Sequence, residues 1–162
     1  MTTNVYDVLT ERGFIEQVSD EEGLRAAVEQ PVTCYVGFDP SAASFHVGHL
    51  VPIMALAHLQ RHGHQPIALM GGGTGMIGDP SDKDEMRRLL SVEQIDENLV
   101  TLRKQMGNLL DFSEEFGPRR ALMLNNADWL RPLNYLEFLR DIGRHFSVNR
   151  MLAAEGYRRR YD

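Results

Sequence analysis

The apolar positions of the chain follow two alternating spacings, which predict strands and helices in turn. Short apolar runs of strand length occur as TCYVGF (33–38), PIALMGG (66–72) and RALMLNN (120–126). Apolar residues recur at helical spacing over 48–62, from 91 to 110 and again from 135 to 146. Strands joined by long helices need crossover connections. We therefore predict an α/β fold with a parallel sheet and helices on both faces.

Capping residues predict where two of the helices begin. Ser91 is followed three residues later by Gln94, and Ser19 by Glu22, which is the spacing of a capping box. Pro31 predicts the end of the helix that follows Ser19.

Composition restricts the class of protein. The 162 residues are 43% hydrophobic and 25% charged, enough for one core in one domain. The chain has no apolar run of about 18 residues, and its start lacks the pattern of a signal peptide, so we expect a soluble cytoplasmic protein without a membrane partner. Cys34 is the only cysteine, which excludes an internal disulfide and a cysteine-rich zinc site. The net charge of -6 argues against indiscriminate coating of nucleic acid.

Unusual loops follow the first two predicted strands. They read DPSAASFHVGHL (39–50) and GGGTGMIGDPSDK (71–83). Ligands of parallel α/β sheets bind at the carboxyl ends of the strands, where both loops begin. In the first loop His46 and His49 flank Gly48 at the predicted start of a helix, whose N–H groups and dipole favour an anion.

The residues alone leave several roles open for the two histidines. Donation of hydrogen bonds to phosphate is one, and a helix cap together with a core histidine is another. Metal binding is disfavoured because no H-E-x-x-H motif is present and neither histidine has a carboxylate or cysteine partner at ligand spacing.

The second loop contains a sequence that imitates a dinucleotide fingerprint. GTGMIG (73–78) matches G-x-G-x-x-G, but it follows the second strand and continues into DPSDKDE, which predicts a turn. A nicotinamide or flavin site is therefore disfavoured. Glycines before Asp79 indicate backbone packed closely against a small ligand, with the carboxylate available for a cation.

Four segments together carry a family resemblance. They are YVGFDPSAASFHVGHL (35–50), GGGTGMIGDPSDKDEMR (71–87), NNADWL (125–130) and GRHFSVNRML (143–152). In this order they resemble the first half of the catalytic domain of bacterial-type tyrosyl-tRNA synthetases, which are class I enzymes with a Rossmann-like fold. Residues 46–49 match the HIGH signature with valine for isoleucine. Tryptophanyl enzymes differ before this motif, so the resemblance favours tyrosine.

The resemblance implies a tyrosine pocket and an ATP site. Tyr35 matches the residue that binds the substrate phenol, and Asp79 the one that binds its ammonium. As bare residues, Tyr35 would fit a core strand and the following FDP a plain turn. The positions implied to bind ATP are Gly37, Asp39, Ser41, His46, Gly48 and His49.

Catalytic roles are implied for four residues, with two more in support. His46 and His49 would act on the nucleotide, and Lys83 and Arg87 on the departing pyrophosphate. Without the resemblance, the two cations would be taken for solvated helix surface. Thr74 and Asn126 match positions that support the site.

The implied reaction is attack of the tyrosine carboxylate on the α-phosphorus of ATP, followed by transfer of the tyrosyl group to tRNA(Tyr). ATP would act as substrate and bring Mg²⁺, with no tightly bound cofactor and no metal site of the protein. The protein would supply positioning and positive charge. We expect the complete enzyme to be a homodimer.

Some features depart from the family pattern. Val36 stands where several members have cysteine, and Asp82 replaces a frequent glycine beside Lys83. Residue 162 precedes the KMSKS and anticodon-binding regions. We therefore expect residues 1–162 to be the N-terminal half of the nucleotide-binding catalytic domain, weakly active or inactive alone. A noncatalytic module derived from a synthetase and another class I nucleotidyltransferase remain as alternatives.

Overall fold

The computed structural model describes residues 4–77 and 90–153. The chain divides into two compact units, Met1–Ala127 and Asp128–Asp162. The elements in chain order are α1 (Val5–Glu11), α2 (Glu21–Ala27), β1 (Thr33–Phe38), α3 (Val47–Arg61), β2 (Gln65–Met70), α4 (Gly72–Gly75), α5 (Val92–Met106), β3 (Leu122–Asn125), α6 (Ala127–Leu130), α7 (Tyr135–Asp141) and α8 (Val148–Leu152).

The sheet of the first unit has three parallel strands in the order β1-β2-β3. Tyr35 pairs with Ile67, which in turn pairs with Leu122. All three strands therefore end at the same edge of the sheet, with the loops that follow them side by side. The predicted parallel α/β class is confirmed.

One face of the sheet carries the main core. Side chains of α3 and α5 share this core with alternate residues of the strands. Its buried members are Phe38, Ile53, Leu56, Ala57, Ala68, Met70, Leu102, Met106, Leu110 and Ala121. On the opposite face, 68% of Tyr35 and 39% of Leu124 are exposed. Of the two predicted helical layers, the described helices α3 and α5 thus supply the one on the core face.

Two helix starts show how capping acts in this chain. Ser91 accepts a hydrogen bond from the Gln94 N–H and the Gln94 side chain accepts one from the Ser91 N–H, so the predicted capping box of α5 is confirmed. The predicted cap at Ser19 is wrong by one residue. The Asp20 carboxylate accepts from the Gly23 N–H at 2.9 Å instead, because a charged acceptor interacts more strongly with the positive end of a helix.

Helix α1 was not predicted from the sequence. Asn4 caps it through the Tyr6 N–H, and its apolar side packs in a second small cluster with Val5, Tyr6 and Val28 buried. Seven residues are too few to show a helical period on their own. The helix owes its stability to this packing.

In the second unit the predicted apolar helix from 135 to 146 is interrupted. Helix α7 ends at Asp141, a 3-10 turn spans Gly143–His145, and α8 begins at Val148. The apolar side chains of residues 135–146 are largely exposed, including 73% of Tyr135 and 62% of Phe146. In the described parts of the chain, no helix has both the length and the apolar character needed to cross a membrane.

Two buried histidines predict how stability depends on pH. His58 is 6% exposed and its Nε2 has no hydrogen-bond partner in the described structure, while Nδ1 of the buried His64 accepts from the Val32 N–H. Burial lowers the pKa of both side chains below the ordinary 6.5. The folded state therefore binds fewer protons than the unfolded state once the pH falls below that value.

We accordingly expect the free energy of unfolding to be highest above about pH 6.5 and to decrease as the solution is acidified towards about pH 5. His58→Leu removes one of these groups and should make the decrease shallower. Urea denaturation of both proteins at several pH values measures the difference. Parallel curves would contradict the role of His58.

Candidate functional site

A cavity of about 590 Å³ opens where β1 and β2 end and α3 begins. All six positions that the sequence predicted to bind ATP line it, together with both predicted supporting residues. Its walls are formed by Gly37, Phe38, Asp39, Ser41, His46, Gly48, His49, Pro52, Leu69, Gly71, Thr74 and Asn126. The crossing of a parallel sheet by α3 brings these separate segments together.

His46 and His49 cap the first turn of α3. The Gly48 N–H donates to Nδ1 of His46 at 3.0 Å, and the His46 N–H donates to Nδ1 of His49 at 3.4 Å. The two ring centroids are 3.9 Å apart. The capping role considered for these residues is therefore present in the structure, alongside their position on the cavity wall.

This capping determines where the ring protons are. A nitrogen that accepts a hydrogen bond carries no proton, so each neutral ring is protonated at Nε2 and presents it as a donor. Burial is the main cause that lowers the pKa of His49, and the nearby His46 lowers it further. His49 is therefore neutral near pH 7, with Nε2–H available to an oxygen atom of a ligand.

The first turn of α3 differs in one respect from the sequence prediction. We expected its backbone N–H groups to face an anion, but the Gly48 N–H is taken by His46, and the His49 N–H donates to the carbonyl of His46. The cap competes with any anion for these donors. The imidazole Nε2–H groups add side-chain donors at this end of the helix.

Gly48 is required by the packing of the His46 ring. A Cβ at position 48 would lie 2.8 Å from Cε1 of His46, closer than such atoms approach in proteins. The glycine thus lets the imidazole fold back over the start of the helix. Pro52 follows in the second turn of α3 and leaves the carbonyl of Gly48 without the usual helical donor.

The glycine loop after β2 is held by two asparagines at the end of β3. Oδ1 of Asn125 accepts from the Gly72 N–H at 3.1 Å, and Oδ1 of Asn126 accepts from the Gly73 N–H at 2.7 Å. Asn126 also donates to the hydroxyl of Thr74 at 3.0 Å. The two predicted supporting residues, Thr74 and Asn126, are therefore bonded to each other.

Gly71 allows the ends of β1 and β2 to approach closely. A Cβ at this position would lie 2.9 Å from both Oδ1 of Asp39 and the hydroxyl of Thr74. The hydroxyl of Thr74 donates to the carbonyl of Gly71, which closes the turn. Asp39 is exposed on this rim, so its carboxylate lies at the cavity.

Tyr35 lies on the exposed face of the sheet, not in the core. Alternation along β1 puts it on the same face as Gly37, which lines the cavity and pairs with Leu69 of β2. The residue pattern alone would place this side chain in the core. The structure leaves 68% of Tyr35 exposed, so it does not fill the core.

Three predicted site residues lie outside the described residues. They are Asp79, Lys83 and Arg87, and the substituted Asp82 lies there too. Their roles in binding the substrate ammonium and pyrophosphate stay predictions.

Four cavity residues were not predicted from the sequence. Phe38, Pro52, Leu69 and Gly71 all line it. The GGG run signals Gly71 and the strand register signals Leu69, which lies opposite Gly37. Among the described residues, no group of three or more histidine, cysteine, aspartate or glutamate side chains is arranged to hold a metal ion.

Cys34 is not an active nucleophile in this environment. Burial raises the pKa of its thiol to about 11, so the thiolate is scarce at neutral pH. Its Sγ contacts the carbonyl of Gln65 on the neighbouring strand. The side chains with chemical function that line the cavity, among the described residues, carry imidazole, amide, hydroxyl and carboxylate groups.

Comparison with known proteins links the geometry to a family. A family model described as tRNA synthetases class I (W and Y) matches residues 27–162. The chain is 61% identical, over 98% of its length, to a tyrosine-tRNA ligase of Syntrophus aciditrophicus, and 58% identical over 98% to one of Fusobacterium nucleatum. It spans 36% and 38%, respectively, of the lengths of these relatives.

A solved structure agrees with both the fold and the sequence. The C-terminally truncated mitochondrial tyrosyl-tRNA synthetase of Aspergillus nidulans superposes with a TM-score of 0.82 at 29% identity. The alignment covers 98% of this chain and 47% of that one. With the family model matching most of the chain, its residues 27–162, this protein belongs to the class I tRNA synthetases of the tryptophan and tyrosine group.

Proposed function

We propose that this chain forms the ATP-binding part of a tyrosine-tRNA ligase. The observation that carries the proposal is that His46, His49, Gly37 and Asp39 line the same cavity. Each of the two imidazoles accepts a hydrogen bond from a backbone N–H at Nδ1. The names of the similar ligases support tyrosine as the amino acid. The full activity includes transfer of the tyrosyl group to tRNA(Tyr), in the cytoplasm, by a homodimer.

In the proposed reaction the tyrosine carboxylate attacks the α-phosphorus of ATP in line, and pyrophosphate leaves. Charge develops on the phosphate oxygens, and the Nε2–H donors of His46 and His49 stabilise it. These donors are fixed in place before the reaction because both rings are already bonded to the backbone. Mg²⁺ enters with ATP, and Lys83 and Arg87 act on the departing pyrophosphate.

In the proposed complex, tyrosine and the nucleotide contact different residues. Tyr35 binds the phenol of tyrosine and Asp79 its ammonium. Gly37, Asp39, Ser41 and Gly48 hold the nucleotide. Thr74 and Asn126 support the glycine loop through the hydrogen bond that joins them.

Exchange of labelled pyrophosphate into ATP tests this function. The full-length protein that contains this chain is incubated with ATP, Mg²⁺ and labelled pyrophosphate, with tyrosine, phenylalanine, tryptophan or no amino acid. We expect exchange that depends on tyrosine. Exchange driven by tryptophan would assign the protein to the other branch of the family, and a complete lack of exchange would support a noncatalytic module.

Tyr35→Phe tests the proposed phenol contact. Removing one neutral hydrogen bond is expected to weaken tyrosine binding by about 0.5 to 1.5 kcal/mol and to reduce the preference over phenylalanine. Because Tyr35 is mostly exposed, the substitution should leave the melting temperature of the protein nearly unchanged. The ratio of kcat/KM for the two amino acids measures the preference. The same ratio in variant and wild type would contradict the contact.

A further inference from the structure

The loop between β1 and α3, residues 39–46, is bonded to a side chain of α5. Oε1 of Gln105 accepts from the Phe45 N–H at 3.0 Å, and Nε2 of the same amide donates to the carbonyl of Ala43 at 3.1 Å. One side-chain amide thus pairs with the backbone as a neighbouring strand would. The bond spans about sixty positions of sequence and joins α5 to the cavity rim.

A second amide of α5 binds the same loop two turns earlier. Nδ2 of Asn98 donates to the carbonyl of Pro40 at 2.9 Å. Asn98 and Gln105 are seven residues apart, which places them on one side of the helix. That side borders the apolar stripe of α5, where Leu102 and Met106 are buried in the core. The position of the loop is therefore set by the position of α5 on the sheet.

The bond to Gln105 also fixes an aromatic ring beside a proposed catalytic residue. The centroid of Phe45 lies 5.0 Å from that of His49 and 5.7 Å from that of the buried Phe38. Phe45 thus lies between the core and the imidazole. Residues 41–44 are exposed, so core packing does little to fix the backbone that leads to this ring.

We propose that Gln105, assisted by Asn98, is a positioning residue of the nucleotide site. Gln105 holds the backbone at Ala43 and Phe45, and Phe45 in turn holds the ring of His49 at the angle that directs Nε2–H into the cavity. The proposal rests on the proposed function, in which that donor stabilises charge on the α-phosphate. Neither amide touches the substrate. Both act through the loop.

Two substitutions of Gln105 distinguish the contributions of its two hydrogen bonds to the loop. Gln105→Met keeps the length of the side chain and loses both hydrogen bonds, whereas Gln105→Glu keeps the acceptor for the Phe45 N–H and loses the donor to Ala43. Lys104→Met, on the exposed side of the same turn, is the matched control. All are measured in the full-length protein by tyrosine-dependent exchange of pyrophosphate, with active sites counted by titration.

We expect Gln105→Met to lower kcat per active site by about 10- to 100-fold, because small displacements of catalytic groups have effects of this size. The KM for tyrosine should stay within about twofold of wild type, since Tyr35, the proposed phenol contact, lies within β1 and not in the loop that Gln105 holds. Gln105→Glu should fall between Gln105→Met and wild type, and Lys104→Met should equal wild type. A purely structural role would instead reduce the number of active sites and leave kcat per site unchanged, and that result would overturn the proposal.

Hydrogen exchange gives a readout that does not depend on activity. The Phe45 amide should exchange faster in Gln105→Met than in wild type, and Mg²⁺ with ATP should protect residues 39–46 less in the variant. Unchanged exchange and protection would overturn the proposal. If the wild type lacks tyrosine-dependent exchange of pyrophosphate, the proposed function fails, and these two measurements still decide whether Gln105 positions the loop for nucleotide.

Discussion

Replacing His49 by alanine in the full-length protein is expected to slow formation of tyrosyl-adenylate by about 10²- to 10³-fold, with little change in tyrosine affinity. An effect of this size is typical of removing one fixed donor from developing negative charge. His49 suits this role because its Nδ1 is occupied by the His46 N–H and its lowered pKa keeps it neutral. Single-turnover kinetics of adenylate formation measure the rate, and equilibrium dialysis the affinity.

A second substitution distinguishes the donor from the cap. His49→Asn supplies an amide N–H from a shorter side chain and should recover part of the rate lost in the alanine variant. A general collapse of the start of α3 would weaken binding of both substrates and would not respond to asparagine. Wild-type rates in His49→Ala would show that this imidazole takes no part in the chemistry.

Gly72→Ala is expected to lower the free energy of unfolding by about 2 to 3 kcal/mol and to impair nucleotide binding. A Cβ at this position would lie 2.3 Å from Oδ1 of Asn125, which accepts from the N–H groups of both Gly72 and Ala127. Moving the asparagine breaks two hydrogen bonds in a partly buried place, each worth about 1 kcal/mol. Urea denaturation measures the loss.

The neighbouring Gly75 provides a matched control. A Cβ there would lie 3.9 Å from Cδ of Pro40, an ordinary contact, so Gly75→Ala should leave stability nearly unchanged. Combining Gly72→Ala with Asn125→Ala removes the atom that collides. The double variant should then be destabilised by less than the sum of the two single changes. Strict additivity would show that Asn125 is not what excludes a side chain at position 72.

Sequence reasoning found the parts of the site that follow from local rules. TCYVGF matches β1 residue for residue, and the capping box at Ser91 is present. The loops after the parallel strands meet at one cavity because the direction of the strands dictates it. The family resemblance then identified the six predicted nucleotide residues, which line that cavity.

The side-chain hydrogen bonds that hold these loops could not be predicted from the sequence. Gln105 and Asn125 contact backbone more than fifty positions away, and their partners depend on how α5 and β3 pack against the sheet. Nothing in the spacing of an amide on a helix identifies the peptide it will bind. Helix α1 was not predicted for a related reason, since its buried side is defined by packing against apolar residues elsewhere in the chain, such as Val28 and Leu59.

The strand order has a consequence for handling the protein in solution. In the part of the chain that the structure describes, β2 has a partner on each side, so β1 and β3 are the edges of the sheet. Among the described residues, no strand pairs with the outer side of β1, whose sequence TCYVGF has no charge and no proline. Edges of this kind pair readily with other strands, including those of another copy. We therefore expect this chain to self-associate through β1 when it is concentrated, and Thr33→Lys should reduce that association.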